Sequence, residues 1–184
     1  MKSTLVITLL FLASLAFAQS EAKPAAAPSE ADKSFDTMKT LAGKWLGAVT
    51  VDPPQHEMGN ANMEVSLRVT SRGNALVHEM KGATEPDDPT KYDHPVTMMY
   101  RENDQLLLTH YCDAGNRPRM AGKVSPDGKK VEFEFLDISG SNKFGHMNHA
   151  VFTVIDANHH LEDWTYMTPG DKPIHAHFDL QRAR

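Results

Sequence analysis

The stretch Asn62–Thr70, NMEVSLRVT, alternates without a break. Met63, Val65, Leu67 and Val69 fall on one side, and Glu64, Ser66, Arg68 and Thr70 on the other. Successive side chains of a strand point to opposite faces, so this is a strand with one apolar and one wet face. Val131, Phe133 and Phe135 repeat the pattern against Glu132 and Glu134. A sheet with one wet face is the antiparallel kind, because parallel sheets are covered on both sides.

Working outward from Asn62–Thr70, nearly everything after Gly43 reads as strand. Ten segments qualify: Lys44–Val51, Asn62–Thr70, Ala75–Lys81, Pro95–Glu102, Gln105–Cys112, Arg117–Val124, Lys130–Asp137, His149–Ile155, Leu161–Met167 and Ile174–Gln181. Several links between them are short and rich in turn formers: Ser71–Asn74, Glu102–Asp104, Asp113–Asn116 and Ser125–Gly128. Links of that length join antiparallel neighbours, since a parallel crossover needs about a dozen residues or more. Ten such strands in one modest domain curl and close, which removes exposed edges. The expected fold is all-β: an antiparallel meander barrel of about ten strands with interior space, preceded by a short helix. Phe35, Met38 and Leu41 give that helix its apolar spacing, with Ser34 as the expected N-cap and Gly43 as its end.

The N-terminus suggests export. Lys2 precedes an apolar run from Leu5 to Phe17, and Ala16-Phe17-Ala18 supplies a small-x-small cleavage pattern. The run is short of the roughly 20 residues of a permanent membrane helix. Residues 1–18 are therefore expected to be a cleaved signal peptide, and the protein periplasmic or secreted. Residues 19–33, rich in Ala, Pro, Ser and charge, read as a flexible linker. Residues 34–184 are then one barrel domain. The net charge of −5 is spread without a basic stripe, so no nucleic-acid partner is expected. The single cysteine, Cys112, excludes an internal disulfide.

Candidate site residues cluster around LLLTHYCDAGNRPRM, Leu106–Met120. His110 and Cys112 lie two apart on one strand, hence on one face but about 7 Å apart, too far for a nucleophile and its base. Cys112 is expected to be a small inert hydrophobe, and His110 a residue of the cavity wall. Tyr111 lies on the opposite face with Leu107, which leaves open which of the two faces is interior. Arg117 follows the turn, where it could hold a carboxylate at the barrel mouth or stand as a solvated rim charge. Trp164 could line the cavity or the exterior. His175 and His177, two apart on the last strand, could share a metal. His146 and His149 approach a strand at a spacing of three, which puts them on opposite faces. The sequence contains no phosphate-binding glycine loop, Gly-x-Ser-x-Gly elbow, His-Glu-x-x-His or Cys-x-x-Cys.

A short helix followed by Gly43-x-Trp45-x-Gly47 resembles the opening of the calycin-type barrels, which include lipocalins, fatty-acid-binding proteins and nitrobindins. Phrases such as THYCDAGNRPRM make the chain from Phe35 to Arg182 similar to the DUF1579 family of exported lipocalin-like proteins. The resemblance implies a barrel and leaves its activity open. The C-terminal PIHAHFDLQR resembles the last strand of nitrobindins, with His175, Leu180 and Arg182 at the matching spacings. That similarity implies haem as cofactor and His175 as its axial ligand. The leading functional expectation is a barrel that binds a small, mostly apolar molecule inside, with His110, Tyr111, Arg117, Trp164 and His175 as candidate contacts. The alternatives are a haem or metal protein using His175, an enzyme acting on a small molecule in the cavity, and a ligand-free interaction module.

Overall fold

Ten strands wind into a closed antiparallel barrel in the computed structural model, which describes residues 27–55 and 61–184. Helix α1 spans Glu30–Thr40. The strands follow as β1 Gly43–Asp52, β2 Asn62–Thr70, β3 Ala75–Gly82, β4 Val96–Glu102 and β5 Gln105–Tyr111. They continue as β6 Arg117–Val124, β7 Lys130–Ser139, β8 His146–Asp156, β9 His159–Thr168 and β10 Lys172–Arg182. Each strand pairs with its neighbours in sequence, and β1 closes the ring by pairing with β10. The all-β barrel with a short N-terminal helix is thus the observed architecture. The predicted signal peptide lies outside the described residues.

The helix begins earlier than the sequence suggested. Ser29 is the N-cap and forms a capping box with Asp32, satisfying two free backbone N–H groups. The segment read as linker therefore contributes the first turn of α1. Ser34, the expected cap, lies inside the helix and is buried. Its hydroxyl donates to the Glu30 carbonyl and accepts from the Val124 N–H, tying helix to barrel. The Ser29–Asp32 pair satisfies the capping geometry one turn upstream, which leaves Ser34 free for this role.

An isolated helix of 11 residues is marginal in water. This one is held by its apolar face. Phe35, Met38 and Leu41 join the barrel core at the end where β4 and β6 finish and β5 and β7 begin. Each such fully buried side chain contributes about 1.5–3 kcal/mol relative to exposure. The Asp32–Arg101 ion pair and the Thr37 hydroxyl, which donates to the Gly128 carbonyl, fix the helix from outside.

Trp45 closes the same end. Its ring is fully buried, and its Nε1–H donates to the Leu41 carbonyl at 2.8 Å. The Arg182 guanidinium lies 4.1 Å from the ring centroid and donates to the carbonyls of Ala42, Thr40 and Ala157. Gly47 permits β1 and β10 to pack this closely, because a Cβ there would overlap the Asp179 carbonyl. At the opposite end the inward-facing Val51, Met63, Met147 and Ala176 are half-buried and packed against the core, with Met80 just beneath.

A buried polar layer as candidate functional site

The barrel interior is not uniformly apolar. On β3, β4 and β5 the paired positions His78, Thr97 and His110 stand side by side in one row. All three are buried, at 0%, 0% and 1% exposure. Across the lumen, β9 points His160, Glu162 and Trp164 inward in succession, each almost completely buried. These two walls meet at Glu162. His78 Nε2 donates to its carboxylate at 3.0 Å, His160 Nε2 at 2.9 Å and Trp164 Nε1 at 2.9 Å. A buried carboxylate requires this kind of saturation by donors.

Aromatic packing completes the layer. The Trp164 ring lies 5.6 Å from both His78 and His110, and Phe152 meets Trp164 edge-on at 5.5 Å. His160 stacks edge-on against Trp45 at 4.2 Å, which links the layer to the closed end.

The electrostatics follow from burial and partners. Burial alone would raise the Glu162 carboxyl. Electrostatic attraction to the His78 ring, and the hydrogen bonds from His160 and His78, outweigh it and hold the group well below the usual carboxylate range. His110 has no carboxylate. Burial, with His78 nearby as a lesser cause, pushes its pKa down from 6.5 to about 3, so it is neutral at physiological pH. Its Nδ1 pairs with the Thr97 hydroxyl at 2.8 Å. Three ring nitrogens in the layer, His78 Nδ1, His110 Nε2 and His160 Nδ1, are buried with no hydrogen-bond partner among the described residues. Buried polar atoms are nearly always paired, so three orphans in one layer mark it out.

Of the residues singled out from sequence, the fold brings two together here, His110 and Trp164. Tyr111 is exposed, the next residue along β5 and hence on the outer face. Arg117 is also exposed and donates to the Ser139 hydroxyl. His175 and His177 occupy the outer face of β10, whose inward side chains are Ala176, Phe178 and Leu180. His175 meets the Thr165 hydroxyl at 3.1 Å, and His177 meets Asp163 at 2.6 Å. With Thr50 and Asp52 these four residues line a surface groove of about 350 Å³. Neither histidine can reach a ligand held inside the barrel. This corrects the expectation of His175 as a lumenal contact or interior haem ligand, because the apolar parity of the last strand turns both histidines outward. Leu180 is core and Arg182 is the clamp over Trp45, so both matching positions have structural roles.

Among the described residues, one cluster of ligand-type side chains has donor atoms within 4.8 Å of one another: Glu132, Glu134 and His149, on the outer face. It does not include His175 or His177. Cys112 lies just beyond β5, half-buried, its thiol pushed up by burial and by Asp93 and Asp113. That environment opposes nucleophilic chemistry.

Sequence reasoning missed His78, His160 and Glu162. The available signal was parity on β9, where His160, Glu162 and Trp164 share a face opposite Leu161 and Asp163.

No protein-family profile and no curated protein matches this sequence. Among solved structures, the chain is similar to Rv2717c from M. tuberculosis, with a TM-score of 0.58 at 13% identity, over 82% of this chain and 98% of that one. A protein of unknown function from the DUF3598 family of Nostoc punctiforme aligns at a TM-score of 0.41 and 8% identity, over 79% of this chain and 48% of that one. The first likeness supports the barrel fold, and the second carries no argument.

Proposed function

We propose that this protein binds a small, mostly apolar molecule inside its barrel, entering at the end opposite α1 and anchored on the His78–His110–Glu162–Trp164 layer. The observation that carries this reading is the set of three buried imidazole nitrogens without partners. They lie below a half-buried apolar rim of Val51, Met63, Met147 and Ala176. Ligand sites in proteins combine these elements, apolar walls that supply affinity and a few fixed polar groups that set orientation. The methionines suit a rim that must adapt to its guest, since an unbranched thioether repacks at little cost.

The resemblance to DUF1579 proteins and the N-terminal pattern of residues 1–18 support a place outside the cytoplasm, where the barrel would meet its ligand in the periplasm or medium. Native mass spectrometry of the protein from its own host tests the function without guessing the guest. A retained small molecule, lost or exchanged in His110→Phe, is the expected result. A wild-type spectrum showing only the bare chain after gentle purification, with no thermal shift across a library of apolar compounds, would refute it.

A further inference from the structure

The hydrogen-bond pattern around Glu162 restricts what the polar end of a guest can be. An ionised carboxylate only accepts hydrogen bonds. His78 and His160 therefore both present an Nε2–H to it, at 3.0 and 2.9 Å. A neutral imidazole has one N–H, so once Nε2 is committed its Nδ1 is a bare acceptor. Both Nδ1 atoms are buried and unpartnered.

Charge balance limits the alternative. Among the described residues, Glu162 is the only buried carboxylate of the interior, and no lysine or arginine is buried there. One imidazolium matches it, while a second would be an unmatched charge in a low-dielectric interior. At least one of the two Nδ1 atoms is therefore a lone pair with nothing to accept from. That lone pair lacks a donor.

Resting on the interior-binding reading above, we infer that the guest presents a hydrogen-bond donor on a neutral head, as an apolar alcohol does, and that the barrel discriminates against the carboxylate of the same chain. A hydroxyl donates to the waiting Nδ1 and accepts in turn from a neighbouring N–H. A carboxylate offers only lone pairs to lone pairs and adds a second negative charge beside Glu162. A site whose polar groups are left unpaired by the wrong head group rejects it strongly.

The test compares 1-decanol with decanoate by titration calorimetry on the full mature chain, at neutral pH and below the micelle concentration of the acid. The expected result is alcohol binding at least about tenfold tighter than the acid. Glu162→Gln should narrow that ratio. Its amide donates to one of the imidazoles, which must then move its own proton to Nδ1 and become a donor toward the guest. Decanoate binding as tightly as decanol, or more tightly, overturns the inference and leaves interior binding intact. Binding of neither overturns the interior-binding reading and this inference with it. Should Glu162→Gln fail to fold, the wild-type ratio decides alone.

Discussion

His110 makes the acid stability of this barrel depend on one buried ring. The folded state holds it neutral with a pKa of about 3, against 6.5 for the free group. Below about pH 6.5 the unfolded chain takes up a proton that the folded chain refuses, so stability present above that pH is lost as pH falls toward the folded value. Between about pH 7 and about pH 4.5 the loss from this group amounts to about 2.5 kcal/mol, at about 1.36 kcal/mol per pH unit well inside the window. The perturbation is His110→Gln, which keeps a hydrogen-bonding group beside Thr97 and has nothing to titrate. Urea unfolding of both proteins at the two pH values gives four free energies. The variant's starting stability does not enter; the deciding quantity is the difference between the two acid losses, which should favour the variant by about 2.5 kcal/mol. Parallel losses within about 0.5 kcal/mol would refute the reasoning. So would an NMR titration in which the His110 ring of the folded protein protonates near its ordinary value.

Glu162→Leu removes the acceptor of three buried N–H groups and should cost about 3–5 kcal/mol by urea unfolding, whereas a loss under about 1 kcal/mol would mean those donors had found other partners. Because the Glu162 carboxyl is held well below its ordinary value of 4.5, its stabilising effect is fully present above that value and is lost progressively as pH falls from there toward the depressed one. Gly47→Ala drives a methyl group into the Asp179 carbonyl and should cost at least about 2 kcal/mol, read as a large drop in Tm; an unchanged Tm would show that β1 and β10 can separate freely. Arg182→Ala should lose about 2–3 kcal/mol through the Trp45 face and the carbonyls of Ala42 and Ala157, with Arg182→Lys restoring less than half because an ammonium cannot span those acceptors. Cys112 should react with iodoacetamide about tenfold more slowly in the folded than in the unfolded chain at neutral pH; equal rates would contradict the raised thiol.

The barrel was legible because strand parity and turn chemistry agreed along most of the chain. In Asn62–Thr70 the buried Val65 and Leu67 lie on the side the alternation assigns to the core. The link Asp113–Asn116 turns where its glycine allows a left-handed backbone, with Gly115 at φ 72°. Parity puts His110 on one face with Leu106 and Leu108, but Leu107 on the other face leaves the inner side of that strand open in the sequence; the fold buries His110. The same rule, applied to Ile174, Ala176, Phe178 and Leu180, turns His175 and His177 outward, a conclusion that the chemical appeal of paired histidines obscured. Glu162 and His78 were harder. On β3, Leu76, Val77 and His78 are all buried, so alternation is silent there. On β9 the inner face carries Glu162 and His160 while the outer face carries Leu161 beside Asp163, so alternation does not mark which side is core. A sequence rule that assigns polar residues to solvent fails where the interior is built to be polar, and such failures concentrate at functional sites.

The ring closure between β1 and β10 has a consequence for how the chain comes to be folded. Trp45 pairs with Arg182, so the barrel's first strand waits for its last. Until the final residues are available, a nascent chain exposes two raw edges and a Trp45 with no clamp, and loop closure across almost the entire domain must precede the β1–β10 pairing. The ring closes only once β10 is in place, and a truncation of a dozen C-terminal residues leaves an aggregation-prone open sheet rather than a smaller barrel.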